Sequence, residues 1–245
     1  MRTEWNLKKF FYSSLEDPRI ARDMAAMKRA YDSFAKKYSS KNFTKDSATL
    51  QKALLDYEKL VKEVGPAKPI LYANYVKELD NSNTKAQAKL NALVQEMTPY
   101  ENKILFFTLR IGKIAPVLQK NFLKDKHLAK YRYMLLKTFE TAKYDLSEQE
   151  EKILNLKSMP SHSMWVEGVD KVVNKQVVSW KGKKVPINEA MGLISSLSSQ
   201  KERIALHTKV MEALSVAGEF AESEMNAIVT NKKIGDDLRG FKNPW

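Results

Sequence analysis

Apolar residues in this sequence recur at helical spacing over runs too long for most other regular structure. Ile20, Met24, Met27, Tyr31, Phe34 and Tyr38 follow one another at intervals of four, three, four, three and four. Residues three and four apart share one face of an α-helix, so the stretch predicts an amphipathic helix. Asp17 stands where its N-cap belongs and Pro18 where a first-turn proline is tolerated. A second stripe, Leu50, Leu54, Tyr57, Leu60 or Val61, and Val64, ends at Gly65-Pro66, which reads as a C-cap glycine followed by a helix stop. The two helices are expected to pair antiparallel. With only 8 Gly and 8 Pro in 245 residues, the chain has few positions for tight turns, which favours long helices over many strands.

Further along, Lys68-Pro69 opens a shorter pattern with Ile70, Leu71, Tyr75, Val76 and Leu79. A polar loop from Asp80 to Thr84 leads into a long pattern from Lys85 to Ile114, which Pro99 is expected to kink or restart with Thr98 as cap. Pro116 is expected to close that region. Residues 125–143 form the next expected helix, burying Leu128, Tyr131, Leu135 and Phe139. Ser147 and Glu150 have the spacing of a capping box for a helix to Met159, and Pro160-Ser-His162-Ser163 reads as a break before Trp165, Val166, Val169 and Val172. The β-like text is confined to residues 176–187, where a Gly182 turn separates Gln176–Trp180 from Lys184–Ile187 and predicts a small hairpin. Asn188 is the expected cap of a helix through Leu197. Ser199 and Glu202 then suggest a second capping box, heading a helix of about eight turns with Ile204, His207, Met211, Leu214, Ala217 or Gly218, Ala221, Met225 and Ile228 on its apolar face.

The formal charge of +13, from 42 Lys plus Arg against 29 Asp plus Glu, raises the question of a polyanionic partner. Only eight of those cations are Arg, the side chain suited to bidentate phosphate and guanine contacts, and most lysines fall on solvent faces of amphipathic helices. Composition therefore argues against a nucleic-acid partner. The absence of cysteine removes disulfides and thiolate metal sites. The sequence from Met1 to Asn6 has no apolar signal core, and the run Ile104-Leu105-Phe106-Phe107 falls far short of the ~20 residues of a membrane helix. The cytoplasm is the expected address, with no membrane partner.

The zinc-peptidase motif His-Glu-x-x-His works because i and i+4 imidazoles share a helical face with the general base beside them. His127, His162 and His207 are the chain's three histidines, and none is four residues from another. The expected role of His207 is a packed imidazole on the apolar stripe, and that of His162 a loop or capping residue. Glu150 and Glu151 are adjacent carboxylates, but neighbours diverge by about 100° on a helix and Glu150 belongs to the capping box. No Gly-rich phosphate loop and no Gly-x-Ser-x-Gly elbow occurs. The residues themselves thus give no catalytic and no metal-binding candidate, and substrate-binding residues stay unassigned.

Several phrases together resemble the N-terminal portion of oligoendopeptidase F, a zinc peptidase of the thimet-oligopeptidase type. These are Trp5-Asn6-Leu7 with Phe11-Tyr12 and Asp17-Pro18; Asn102 to Ile111 with Phe106-Phe107; Tyr131-Arg132-Tyr133-x-Leu135; Leu146-Ser147-x-x-Glu150-Glu151-x-Ile153-Leu154 with Trp165; and Asn226-Ala227 through Lys232, Asp236 and Arg239-Gly240-Phe241. The resemblance implies a mostly helical lobe that walls a deep cleft admitting flexible oligopeptides. The family's zinc ligands and general base lie in a later half, so no such residue carries over, and zinc is implied for the parent enzyme alone.

The expected fold is an all-α, multi-helix lobe with long antiparallel helices and one small β-hairpin near residues 176–187. Residues 1–245 read as one helical lobe with three sub-regions: helical hairpins at 1–112, an oligoendopeptidase F N-terminal-type module at 113–187, and the long helix at 188–245 leading toward the catalytic half. The expected role is a non-catalytic substrate-cleft lobe whose partners are the catalytic half and, in the parent, an oligopeptide substrate. Self-association through Met211, Leu214, Met225, Ile228 and the tail from Phe241 to Trp245 is a further expectation. The alternative is a stand-alone basic helical module binding nucleic acid or an acidic protein.

Overall fold

The computed structural model describes residues 6–65, 67–80 and 83–243. Trp5 of the opening phrase, Pro66 of the first helix stop, part of the 80–84 loop and the tail residues Pro244 and Trp245 lie outside the described residues. Helical turns make up 78% of the described residues, with one small antiparallel sheet of two strands. The all-α class with a hairpin, expected from the sequence, is the class observed. No helix among the described residues is long and apolar enough to cross a membrane. Two compact units emerge among the described residues, one comprising residues 6–65, 67–79, 83–156 and 239–241, the other residues 80, 157–238 and 242–243.

In the first unit, α1 (Pro18–Tyr38) buries all six residues of the leading stripe. Its N-cap is Asp17, whose Oδ1 accepts from the Arg19 amide at 2.9 Å. α2 (Ser47–Val64) starts at Asp46, which accepts from the Thr49 amide at 2.7 Å, and it buries Leu50, Ala53, Leu54, Leu60 and Val64. It runs antiparallel to α1: Lys37 bonds Asp56 at 2.5 Å near one end, while Met27 and Val64 line a common cleft near the other. α3 (Lys68–Leu79) and α4 (Thr84–Asn102) pack on each other and on α1. Phe107 of α5 (Leu105–Gly112) is wholly buried among the rings of Phe43, Tyr57 and Phe34, with centroids at 4.7, 4.8 and 5.1 Å. α6 (Pro116–Lys124), a 3-10 segment (Lys126–Tyr131) and α7 (Arg132–Thr141) complete this unit together with most of α8 (Glu148–Ser158).

Several local expectations are corrected here. Gly65 is right-handed, at φ −58° and ψ −35°, so it does not end α2 by a left-handed turn. A Cβ at Gly65 would lie 2.2 Å from the Val61 carbonyl oxygen, which is why glycine fits, and the positive φ of 39° falls on Ala67. The seam of α3 is Pro69, Tyr72 and Ala73, leaving Leu79 exposed. α4 continues through Pro99 to Asn102, and Thr98, instead of capping a new helix, donates its hydroxyl to the Val94 carbonyl at 2.9 Å within the same helix. Pro116 does not close a region; it opens α6, where a first-turn proline forfeits no helical bond. The helix expected over 125–143 divides into the 3-10 segment, α7 and a further 3-10 turn (Ala142–Tyr144), with Leu128 and Leu135 fully buried and Tyr131 and Phe139 only partly so.

In the second unit, the expected break at Pro160 is instead a π-helical segment (Met159–Ser163) leading into α9 (Met164–Asn174). A wider turn is one way in which a helix accommodates a residue without an amide hydrogen. The hairpin pairs β1 (Val177–Trp180) with β2 (Lys183–Pro186), Trp180 opposite Lys183. Its two turn residues, Lys181 at φ 47° and Gly182 at φ 79°, have the positive φ pair that matches strand twist in tight hairpins. α10 (Ile187–Ser196) has Pro186 at its N-cap, and Asn188 donates to the Asn174 side chain at 2.9 Å instead of capping. The eight-turn helix expected from Ser199 is two helices, α11 (Gln200–Ser215) and α12 (Gly218–Arg239). Ser199 caps α11, but the Glu202 carboxylate pairs with Lys181 at 2.7 Å. The core of this unit is Val178, Val185, Ile187, Ala190, Leu206 and Val210, so the buried face of α11 is Leu206 and Val210 while Ile204, His207 and Met211 are exposed.

Truncating Phe107 to alanine removes the ring around which Phe34, Tyr38, Phe43 and Tyr57 close and is expected to cost about 3–5 kcal/mol of stability. Urea unfolding followed by tyrosine fluorescence or circular dichroism checks this; a loss below about 1 kcal/mol would show that the ring cluster is not central.

Candidate functional site

Two phrases far apart in sequence meet inside the first unit. Ser147 caps α8, its hydroxyl accepting from the Glu150 amide at 3.3 Å, and Glu150 returns by accepting from the Ser147 amide at 2.8 Å. This reciprocal pair is the capping box expected from the spacing. It orients the first turn so that the next side chain, Glu151, points to Arg239, at the C-terminal end of α12. Arg239 Nη1 and Nη2 donate to Glu151 Oε1 and Oε2 at 2.5 and 2.7 Å, a parallel two-pronged pair. Nη1 also donates to the Tyr144 carbonyl at 3.1 Å, and the Leu146 amide donates to Glu151 Oε1 at 3.1 Å. Gly240, at φ 71°, turns the chain through the left-handed region. Phe241 then stacks on Tyr144 with centroids 4.1 Å apart and planes 20° from parallel. Phe241, expected to take part in self-association, thus packs one ring face within its own chain and stays 37% exposed.

Electrostatics follow the geometry. The Arg239 guanidinium holds the Glu151 carboxyl below its ordinary value against the effect of burial, and Glu151 in turn raises Arg239. Asp145 is pushed up by burial first and by the Glu151 charge second. Asp145 also approaches Gly112, where a Cβ would lie 3.1 Å from its Oδ2 and 2.9 Å from the Ala142 Cβ. The cluster is one charge-assisted clamp with a raised acid beside it. It contains no nucleophile joined to a base.

The three histidines are not brought together: His127 lies in the 3-10 segment, His162 in the π-helical segment and His207 on α11, and all three are exposed. The His127 amide and Nδ1 both contact Asp125 Oδ1, at 2.8 and 3.0 Å. His207, expected to pack on an apolar stripe, faces solvent because α11 buries its other side. Among the described residues no group of three or more His, Asp or Glu side chains is placed to hold a metal ion. The described residues therefore do not fit a zinc site. A cleft of about 420 Å³ between α1, α2 and α3 has an apolar floor including Met27, Val64 and Pro69 and a rim of Asp23, Glu63 and Lys68. Tyr12 donates its hydroxyl to Asp23 at 2.9 Å, and burial, then that bond, push the phenol up.

Residues 111–168, which include the Ser147 capping box and Glu151, match the family model of oligopeptidase F. The resemblance to the N-terminal portion of such a peptidase, read from scattered phrases, is supported on this stretch and by the fold. The chain is similar to the crystal structure of oligoendopeptidase-F from Enterococcus faecium, with a TM-score of 0.74 at 11% identity over 93% of this chain and 45% of that one. It is also similar to a candidate peptidase from Chlamydophila abortus, with a TM-score of 0.50 at 17% identity over 90% of this chain and 39% of that one. At such identities the likeness is one of fold. The chain spans less than half the length of either structure. No curated protein matches the chain.

Glu151→Gln keeps the shape of the clamp and removes its charge, leaving a half-buried guanidinium without its anion, and is expected to cost about 2 kcal/mol. Because the Glu151 value is depressed in the folded protein, its contribution is complete above the unfolded carboxyl value of about 4.3 and is lost as pH falls through the folded value. The difference in Tm between the native chain and Glu151→Gln is therefore expected to shrink between about pH 6 and about pH 3, as measured by thermal circular dichroism. A difference that grows on acidification would contradict the assignment of the clamp as ionic.

Proposed function

We propose that this chain is a non-catalytic lobe of a zinc-dependent, oligopeptide-cleaving endopeptidase and forms part of the wall of its substrate cleft. The oligopeptidase F segment at residues 111–168 carries the reading. In such an enzyme a zinc ion, when bound, supplies an activated water for peptide hydrolysis. With its three histidines apart and no His-Glu-x-x-His in its sequence, this chain contributes surface and positioning, while the metal ligands and general base belong to the catalytic half. We place the enzyme in the cytoplasm, with the catalytic half and an oligopeptide as partners.

α12 supports the partner assignment. None of its residues is buried, and Val216 before it and Met225, Val229, Ile234 and Leu238 along it are each more than half exposed. Met225 and Val229, four residues apart, share one exposed apolar face of the helix, the kind of surface that another body covers. Met211 and Met225 are at least half exposed, whereas Leu214 and Ile228 are half-buried.

The purified chain is expected neither to hydrolyse a quenched-fluorescent peptide nor to retain stoichiometric zinc after dialysis, and the coding sequence following Trp245 is expected to encode His-Glu-x-x-His. Chelator-sensitive turnover by the homogeneous chain would overturn the non-catalytic assignment. A stop codon with no such motif nearby would favour a stand-alone basic binding module. Sedimentation velocity of the isolated chain is expected to show concentration-dependent dimers that Met225→Glu and Val229→Glu weaken.

A further inference from the structure

More than half of the chain's charge surplus sits in one short stretch of the first unit. Residues 103–139 carry nine Lys or Arg against a single acid, Asp125, a surplus of eight within the total of +13. Some of these cations are spoken for. Lys103, Lys130 and Lys137 meet Asp32, Glu58 and Glu140 at 2.5, 2.6 and 2.8 Å. Arg132 Nε donates to the Leu123 carbonyl at 2.8 Å, and Arg110 lies over the Phe106 ring at 4.8 Å. Lys113, Lys120, Lys124 and Lys126 are exposed and have no ion-pair partner among the described residues, and the last three lie together on and just after α6.

We propose that the outward face of α6, where Val117, Lys120 and Lys124 project together and Lys126 follows, binds an extended acidic oligopeptide. Phe122 buries the opposite side of α6, so these three residues, at intervals of three and four, share the solvent face. Lys120 and Lys124 are four residues apart, about 6 Å along the helix axis. Alternate side chains on one side of an extended peptide are about 6.6 Å apart, so carboxylates two residues apart meet both ammonium groups in register. Val117, 72% exposed, offers an apolar contact beside the two charges.

Other polyanions fit less well. The two guanidiniums of the stretch, the groups suited to forked phosphate contacts, are held by the Leu123 carbonyl and the Phe106 ring. A lipid surface asks for a broad apolar face, whereas nine-residue α6 exposes only Val117 and Leu118 among its large apolar side chains. The inference takes its ligand class from the peptide-handling role proposed above and adds a preference for acidic sequences.

The test is fluorescence anisotropy of the full chain with a labelled peptide of about eight residues alternating Glu and Ala, against the same peptide with Gln for Glu. The acidic peptide is expected to bind at least about tenfold tighter at about 50 mM salt, and the advantage to fall steeply by about 300 mM. Lys120→Gln, Lys124→Gln and Lys126→Gln combined are expected to abolish that advantage with Tm unchanged. Lys175→Gln, Lys184→Gln and Lys209→Gln combined make the same change in net charge elsewhere and are expected to retain it. Equal binding of both peptides would overturn the acidic preference and leave peptide handling standing. Equal losses in the two triple variants would overturn the assignment to α6. Tighter binding of a single-stranded oligonucleotide or of anionic phosphatidylglycerol vesicles than of the acidic peptide would overturn the peptide assignment as a whole.

Discussion

Asp17 fixes where α1 begins, and α1 is the helix on which α2, α3 and α4 all pack. Its carboxylate is buried yet fully bonded: it accepts from the Arg19 amide and guanidinium, from the Ser13 amide at 2.9 Å and from the Ser13 hydroxyl at 2.8 Å. Arg19 first, then these amides, hold it well below the usual carboxylate range. A buried charge is tolerable only when each lone pair has a donor, and here the donors are the groups that start a helix. The cap sets the rotation of α1, and that rotation decides whether Ile20 through Tyr38 face the core. Phe34 and Tyr38 of this face complete the ring cluster around Phe107.

How much of this was legible in the sequence depended on whether one face of each helix was unambiguously apolar. α1 has one such face and all six of its stripe residues are buried. α11 has two. Ile204, His207 and Met211 form one helical stripe and Leu206 and Val210 another, and only the second is buried. The choice was made by β1 and α10, which pack on α11 and bring Val178, Ile187 and Ala190 to it. Periodicity finds the helix; the partner sets its phase. The same limit applies to α12, where apolar residues are spread around the helix and none is buried.

Three prolines, Pro99, Pro116 and Pro160, looked alike as interruptions and have three different outcomes. Pro99 lies inside α4, Pro116 is a first-turn residue of α6, and Pro160 lies in a π-helical turn. A proline removes one donor and fixes one φ, which forbids a regular bond at that point without dictating whether the chain bends, starts or widens there. Neighbouring groups decide. Thr98 places its hydroxyl on the Val94 carbonyl one turn before Pro99, and Ala115 supplies an extended residue ahead of Pro116.

The Glu151–Arg239 clamp was half legible. The capping box at Ser147 and Glu150 is a local spacing, and its geometry was open to derivation; the partner of Glu151 is 88 residues away, which no local pattern reports. One general signal was present. Acids in this chain are spent on structure: Asp17, Asp46 and Asp125 as caps, Glu150 in the capping box, Glu58 between Lys62, Lys130 and Tyr131, and Glu151 on Arg239. Between Lys103 and Phe139, where the single acid Asp125 caps its own segment, Lys113, Lys120, Lys124 and Lys126 are left on the surface without an ion-pair partner among the described residues, and the last three lie close enough in sequence for one partner to meet them together.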